Sequence, residues 1–343
     1  MEKRVVAFLL LLFFLFSLCS CETLLEGEQS DFDDTSAIAS QEISDEKGES
    51  RVMFFRGEEF DVEFAKKAFK TATRTDELKY YTSEYTKYNS YIHFQNLNEN
   101  ERLVYKAIEY ALYNSYRHIV FDASLLKDSE LTVINVLDMV AADTPLLEQN
   151  IWRTCEEVEL AVDLESGEQI TYKGTLLSCD NFVFTVFGKK KDAIKLAEGI
   201  IEEMPKGLSE LETAKYLYKY LGKSTYYDRG ESGIQYYLYD ALSGTSTHCD
   251  GFANAYSLLC NMAGLQCYEK LWDPVGEDGH TWNAVKIKNA WYNVDVAVVA
   301  DEKDQESTAF FWSGFGFKDS AYRATHKYQE FAPTCYGWLT VTD

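Results

Sequence analysis

The chain has 343 residues and a formal net charge of −23, because 56 acidic side chains outnumber 33 Lys and Arg. This length is enough for two domains, each with a sizeable hydrophobic core. An acidic excess of this size excludes nucleic acid as a partner and disfavours adhesion to anionic lipid, since both need a basic surface.

The first 21 residues predict export and lipid attachment. Glu2-Lys3-Arg4 precedes an apolar run, Val5 to Phe16, that is too short to span a bilayer and suits a signal peptide. After Ser17, the four residues Leu18-Cys19-Ser20-Cys21 resemble the lipobox of bacterial lipoproteins. This resemblance implies that residues 1–20 are a signal peptide and that Cys21 is lipidated. The alternative is an ordinary cleaved signal and a secreted protein.

Residues 21–50 are predicted to be a disordered, lipid-anchored acidic linker, because they contain ten acidic side chains and almost no aromatic ones. The folded part is then expected outside the cell, on the outer face of the bacterial cytoplasmic membrane. Its contact with the membrane would run only through the N-terminal lipid.

Residues 51–187 are predicted to form a small α+β domain of unassigned role. Strand patterns occur in VMFF, HIVFDASL, EEVELAVDLESGEQITYKG and NFVFTVFG, and FDVEF leans to strand before the helical EFAKKAF. Residues 98–116 and 128–142 have helical spacing, and Pro145 ends the second helix.

Residues 188–343 are predicted to form a second α+β domain. Helices are expected over 190–204 and 209–220, and a Gly/Ser-containing loop over 229–247 leads to a further helix that begins at Cys249. Two strands follow, in Gly-His-Thr-Trp-Asn and in Trp-Tyr-Asn-Val-Asp. The expected core is a helix that carries a cysteine and packs on an antiparallel sheet.

Cys249 is the predicted nucleophile of this domain. A position in the first turn of a helix places its sulfur near unpaired backbone N–H groups, which favour the thiolate and could bind an oxyanion. Gly251, two residues later, allows backbone or substrate to approach closely.

His280 and Asp295 are the predicted base and its orienting carboxylate. If Lys288-Asn289 is a two-residue turn, Ile287 pairs with Ala290 and Asp295 lies opposite Trp282. His280 and Asp295 would then be diagonal neighbours on one face, close enough for a hydrogen bond that fixes the imidazole tautomer.

These motifs resemble the transglutaminase-like superfamily. The matching segments are Tyr227-Asp228, Cys249-Asp250-Gly251-Phe252-Ala253, His280-Thr281-Trp282-Asn283 and Trp291-Tyr292-Asn293-Val294-Asp295. The resemblance covers about 190–300 and implies a papain-like core with Cys249 as nucleophile, His280 as base and acid, and Asp295 as orienter. His248, Ala290 and the segment after Asp295 depart from the family pattern and leave the substrate preference open.

The predicted function is thiol acyl transfer on peptide or glutamine amides, either as a cysteine peptidase or as a cross-linking transglutaminase. The expected partner is a protein or peptide substrate, with cell-wall peptides as one candidate class. The competing hypothesis is an inactive member that serves as a surface binding or scaffold protein. No cofactor or metal is predicted. A zinc site from His248, Cys249, Cys260, Cys267 and His280 lacks closely spaced cysteine pairs.

Two further points stay open at this level. Cys155 and Cys179 flank a predicted hairpin and are either a disulfide or two buried free thiols. No side-chain donor to an oxyanion can be assigned, and Trp282 and Gln235 are no more than guesses.

Overall fold

The computed structural model describes residues 51–56, 59, 60, 62, 65, 73, 74, 78–147, 152–163, 169–180, 189–228, 237–272, 279–301, 314–318, 333, 335 and 339. The predicted signal peptide, Cys21, the acidic linker, the strand over 181–188 and most of FDVEF and EFAKKAF lie outside these residues. No helix in the described part of the chain is long and apolar enough to cross a bilayer.

The N-terminal half contains a five-stranded antiparallel sheet in the order β2-β1-β3-β5-β4. Its strands are β1 (Arg51–Phe55), β2 (Thr73–Arg74), β3 (His118–Asp122), β4 (Trp152–Asp163) and β5 (Gln169–Asp180). The predicted strand VMFF is confirmed, and HIVFDASL is confirmed as a strand only over His118–Asp122. The antiparallel pairing of the two long strands is also confirmed. β3 lies in the centre of the sheet, and its apolar side chains are therefore buried on both faces.

Two helices cover one face of this sheet, α1 (Glu99–Tyr113) and α2 (Val133–Asp143). The first is confirmed and begins at Asn98, which forms a capping box with Glu101. The predicted start of the second at Asp128 is wrong. Thr132 and Asn135 form the capping box instead, so the helix begins five residues later.

Cys155 and Cys179 are both free thiols, and the disulfide hypothesis is wrong. The register of β4 and β5 pairs Cys155 with Leu177 and Cys179 with Arg153, so the two cysteines are offset diagonally rather than opposed. The alternative of two buried thiols is half right, since Cys179 is buried and Cys155 is exposed.

The C-terminal half consists of helices packed on a four-stranded antiparallel sheet in the order β11-β10-β9-β8. The sheet is formed by β8 (Cys267–Trp272), β9 (His280–Ile287), β10 (Ala290–Val294) and β11 (Phe315–Phe317). The helices are α3 (Lys190–Glu203), α4 (Glu210–Ser224), α5 (Tyr237–Ser243), α6 (Cys249–Met262) and α7 (Ala297–Asp301). This arrangement is the expected α+β core, with the cysteine-bearing helix α6 against the sheet.

The segment 229–247 is not the plain loop that its glycines and serines predict. It contains α5, and the short strand β7 (Ser246–Thr247) pairs in parallel with β6 (Tyr226–Tyr227). Leu238, Ala241 and Leu242 of α5 are buried in the core around α6, and this tertiary packing stabilises a seven-residue helix that would be marginal alone.

Polar bonds join the two halves at the helix α6. Asn254 Nδ2 donates to Leu147 O at 3.1 Å, and Asn261 Nδ2 donates to Tyr88 O at 3.0 Å. Within the C-terminal half, Asn254 Nδ2 also donates to Glu269 Oε1 at 2.9 Å. All described residues belong to one compact unit, Asp45–Asp343. The domain boundary at 187/188 stays a prediction.

Candidate functional site

Cys249 occupies the first helical position of α6 and is half-buried. The preceding residue, His248, has extended backbone angles (φ −87°, ψ 179°) and makes no side-chain capping bond. The first N–H groups of an α-helix have no carbonyl four residues earlier to bind, so the amides of this turn face the side of the helix end where the sulfur lies. This is the environment predicted from the sequence for a thiol that must ionise.

Gly251 is required by the packing of this first turn. A Cβ atom at this position would lie 2.0 Å from Thr247 Oγ1 and 2.5 Å from the carbonyl oxygen of Tyr237. The expected close approach is therefore made by the chain itself, through β7 and α5, which pack directly against the helix that carries Cys249.

The hairpin β9–β10 has the register predicted from its turn. Ile287 pairs with Ala290, Lys288 in the turn has a φ of +57°, and the ladder continues to the pair Val294 and Asn283. Asp295 follows directly, and its N–H donates to Gly314 O at 2.7 Å. This bond fixes the backbone one residue beyond the end of β10 and so holds Asp295 beside β9.

His280 and Asp295 meet as expected. His280 Nε2 lies 2.7 Å from Asp295 Oδ2, and Asp295 is only 1% exposed. Burial by itself lowers the pKa of His280, but hydrogen bonds to Asp295 and Cys249 and the charges of both groups raise this pKa to about 10. The imidazole therefore favours its protonated form at neutral pH.

His280 also joins the other two side chains into one chain of contacts. Cys249 as well as Asp295 is close enough to the ring to raise its pKa. Because Nε2 faces Asp295, Nδ1 is the ring nitrogen left for the thiol. The sulfur, the imidazole and the carboxylate thus lie next to one another in this order. In this arrangement a thiolate and an imidazolium can form a charge pair, while the carboxylate holds the ring.

Trp282 packs against the imidazole of His280. Its ring stacks with that of His280 at a centroid distance of 5.9 Å and an angle of 20°. The indole Nε1 donates to Asn293 Oδ1 at 3.0 Å, and Asn293 Nδ2 donates to Phe317 O at 3.3 Å. Trp282 is 1% exposed and its N–H faces Asn293, so the guess that it binds an oxyanion is wrong. Gln235 lies outside the described residues.

Two polar residues at the site were not predicted. Asp250 Oδ1 accepts a hydrogen bond from Thr281 Oγ1 at 2.7 Å and one from Cys249 Sγ at 3.7 Å. Each directly follows a predicted site residue in the chain: Asp250 follows Cys249, and Thr281 follows His280. The only sequence signal was their inclusion in the two motifs, since neither residue type has a required role at such a position.

The remaining cysteines and histidines lie elsewhere. Cys260 and Cys267 are fully buried in the core at the far end of α6, and Cys335 is 1% exposed. His93 binds Asp143 at 3.0 Å and His118 binds Ser178 at 2.8 Å. Among the described residues, no group of three or more His, Cys, Asp or Glu side chains could hold a metal ion. His248 packs edge-on against Tyr227 and Tyr237.

Comparisons with known proteins agree with this geometry at the level of the fold. Residues 195–296 match the family model of the transglutaminase-like superfamily. Kyphoscoliosis peptidase from Homo sapiens and from Mus musculus is 34% identical over 67 residues, which are 16% of this chain and 10% of each relative. The chain thus spans about a tenth of the length of these relatives.

Two of the solved structures that match part of this chain do so at low TM-scores. One is described as a TGase, with 20% identity, 41% of this chain and 43% of that chain covered, and a TM-score of 0.28. The other is the periplasmic domain of TgpA from Pseudomonas aeruginosa, with 13% identity, coverage of 46% and 74%, and a TM-score of 0.27.

Proposed function

Because residues 195–296 form a transglutaminase-like domain, we propose that the protein is an extracytoplasmic lipoprotein that transfers acyl groups through a cysteine thioester. The substrates are amides of peptides or of glutamine side chains. One observation carries the chemical part of this proposal, the convergence of Cys249, His280 and Asp295 from a helix, a strand and the end of a hairpin.

In the first half-reaction, Cys249 Sγ attacks the amide carbonyl carbon and a carbon–sulfur bond forms. The oxygen gains negative charge and is stabilised by N–H groups of the first turn of α6. The carbon–nitrogen bond then breaks, and the His280 imidazolium gives its proton to the leaving amine. Asp295 keeps the ring oriented and stabilises its positive charge throughout.

In the second half-reaction, water or a primary amine attacks the thioester. His280 removes the proton of the attacking group, and the thiolate leaves. With a peptide-bond substrate, attack by water makes the protein a cysteine peptidase. With a glutamine side chain, attack by a primary amine makes it a cross-linking transferase, and attack by water leaves glutamate. The choice depends on which nucleophile reaches the thioester fastest in the substrate cleft.

A peptide library with glutamine-containing sequences and an added primary amine tests this reaction class, with products identified by mass spectrometry. We expect cleaved peptides, amine conjugates or both, and loss of all products in Cys249→Ala. Cys155→Ser is the matched control, because Cys155 is an exposed thiol far from the site in the sequence. Absence of products with wild-type protein favours the inactive scaffold.

Alkylation separates an activated thiol from an inert one without any substrate. We expect Cys249 to react faster with iodoacetamide than the exposed Cys155, and this advantage to disappear in His280→Ala. Cys335 is a poor reference because it is buried. Equal rates at Cys249 and Cys155 would contradict an activated nucleophile.

The lipoprotein part of the proposal rests on the N-terminal sequence and has a separate test. Fractionation of cells that express the full chain is expected to place it in the membrane fraction, with a labelled fatty acid attached. Cys21→Ala is expected to lose the label and the membrane association. A soluble extracellular wild-type protein would support the ordinary cleaved signal instead.

A further inference from the structure

A second hydrogen-bonded contact runs alongside the one between sulfur and imidazole. Thr281 Oγ1 donates to Asp250 Oδ1 at 2.7 Å. Asp250 follows Cys249 in α6, and Thr281 follows His280 in β9. Both side chains are buried, with 8% exposure for Asp250 and 1% for Thr281. The helix that carries the sulfur and the strand that carries the imidazole are therefore joined one residue away from the reacting groups.

The same carboxylate oxygen also contacts the sulfur. Cys249 Sγ lies 3.7 Å from Asp250 Oδ1, in a geometry in which the thiol donates its proton to the oxygen. The carboxylate of Asp250 and the imidazole of His280 are therefore two competing partners for the same sulfur. The hydroxyl of Thr281 donates to the same oxygen of Asp250 and makes this oxygen a weaker acceptor for the thiol.

We propose that Asp250 and Thr281 are a positioning pair that sets the proton balance between Cys249 and His280. The proton of the thiol can be shared with the carboxylate of Asp250 or be transferred to the imidazole, which gives the pair of thiolate and imidazolium. Thr281 occupies the carboxylate oxygen, which leaves His280 as the preferred partner of the sulfur. The inference deepens the proposed function and rests on Cys249 and His280 as nucleophile and base.

A third bond from the same strand to the same helix holds this geometry. Asn283 Nδ2 donates to Ala253 O at 2.9 Å, two residues further along β9 and three along α6. With this bond in place, removal of the Thr281 hydroxyl is expected to change the charge near the sulfur without separating α6 from β9.

Other titratable groups on the elements around the start of α6 are shared by all the variants compared below. They are Tyr227, Asp228, Tyr237, His248, His280 and Asp295, with Tyr218 next to Asp295. Their contributions to the pH dependence cancel in a comparison of single variants at Asp250 and Thr281.

The test is the pH dependence of iodoacetamide labelling at Cys249, measured by mass spectrometry from pH 4 to 10 with Cys155 as the internal reference. Asp250→Asn removes the charge but keeps an acceptor for Thr281. We expect its half-maximal labelling to move to lower pH by about 1 unit, which raises labelling about tenfold on the acid side. Thr281→Val keeps the shape but removes the donor. Its half-maximal labelling is expected at higher pH than in wild-type protein.

Thr281→Ser restores a hydroxyl and is expected to move the half-maximal pH back from the Thr281→Val value towards wild type. The matched control is Asp192→Asn, an exposed aspartate in the first turn of α3, which is expected to leave the profile unchanged. Circular dichroism confirms folding of each variant. If Thr281→Val does not fold, Thr281→Ala replaces it. If neither variant folds, the Asp250→Asn result decides by itself.

Coincident half-maximal pH values in all variants, or shifts of Asp250→Asn and Thr281→Val in the same direction, overturn the inference. A merely structural role would lower the plateau or the stability and leave the midpoint in place. The labelling assay requires no turnover. Absence of products from the peptide library would therefore refute the proposed function but would leave the labelling result unchanged. Conversely, products from the peptide library together with coincident half-maximal pH values in the labelling assay would refute only the inference about Asp250 and Thr281.

Discussion

Asp295 Oδ2 lies 2.7 Å from His280 Nε2, although Asp295 belongs to no strand and follows the last paired residue of β10. The bond from its N–H to Gly314 O holds it there, and the side chain is almost fully buried. A buried carboxylate in this place stabilises a positive imidazole and selects the ring nitrogen that faces the thiol.

The first prediction concerns this carboxylate. Asp295→Asn preserves the shape but removes the charge and can present an N–H to Nε2, which favours the wrong tautomer. We expect kcat for acyl transfer to fall by about 10²- to 10⁴-fold, with a much smaller change in KM. Steady-state kinetics on the best library peptide measure this. Asp122→Asn at the end of β3 is the control, and equal losses in both variants would contradict a specific role for Asp295.

The second prediction is the pH dependence of stability that His280 causes. Its pKa in the folded protein is raised from 6.5 to about 10. Its contribution to stability is therefore fully present below pH 6.5 and is lost as the pH rises towards 10. Urea unfolding of wild type and His280→Gln should show a stability difference that shrinks by roughly 4–5 kcal/mol across this range.

Lys190 acts in the opposite direction, because burial lowers its pKa to about 7. A lysine that is harder to protonate in the folded state makes the protein gain stability as the pH rises from about 7 to 10.5. Wild type and His280→Gln both contain Lys190, so the contribution of Lys190 cancels in the difference between their free energies of unfolding. His248→Gln, at the residue directly before α6, serves as the control, and a similar pH-dependent difference there would contradict the assignment to His280.

The third prediction concerns Gly251, where a Cβ atom would lie 2.0 Å from Thr247 Oγ1 and 2.5 Å from Tyr237 O. Gly251→Ala forces the backbone of α5 or β7 to move, and we expect a loss of about 2–4 kcal/mol in the free energy of unfolding. Gly199 is the matched control, since it lies exposed in α3 with open space around it. Gly199→Ala should stabilise by about 0.5–1 kcal/mol. Equal effects at both positions would refute the packing argument.

The fourth prediction concerns the junction of the two halves. Asn254 is fully buried and donates to Leu147 O and to Glu269 Oε1. Asn254→Ala removes the donor from two buried acceptors, and we expect a loss of about 2–3 kcal/mol in denaturant unfolding. Asn100→Ala, at an exposed position of α1, should stay within about 0.5 kcal/mol of wild type. A neutral Asn254→Ala would mean that the bond to Leu147 does not stabilise the junction.

Much of the candidate site could be predicted from the sequence because its parts are set locally. The two-residue turn at Lys288 fixes the register of β9 and β10, and alternation along a strand then decides which side chains share a face with His280. The helical spacing after Cys249 and the left-handed Gly264 define α6 in the same way. These signals extend over a few residues, so no knowledge of distant contacts is needed.

Other features required the folded chain. The bond between Asp250 and Thr281 joins residues 31 positions apart, and that between Asn254 and Leu147 joins residues 107 apart. Neither has a periodic pattern or a fixed spacing. The helix α5 forms where glycines and serines indicate a loop, because burial against α6 outweighs its weak propensity.

The sequence alone therefore determined the place of Cys249 at a helix start and the pairing that brings His280 towards Asp295. Turns, caps and residue periodicity act over short distances and can be read along the chain. Only the tertiary structure decided how α6 docks on β9, which places Asp250 between the sulfur and Thr281. That contact depends on the packing of two separate elements, and packing is decided by the shape of the whole core.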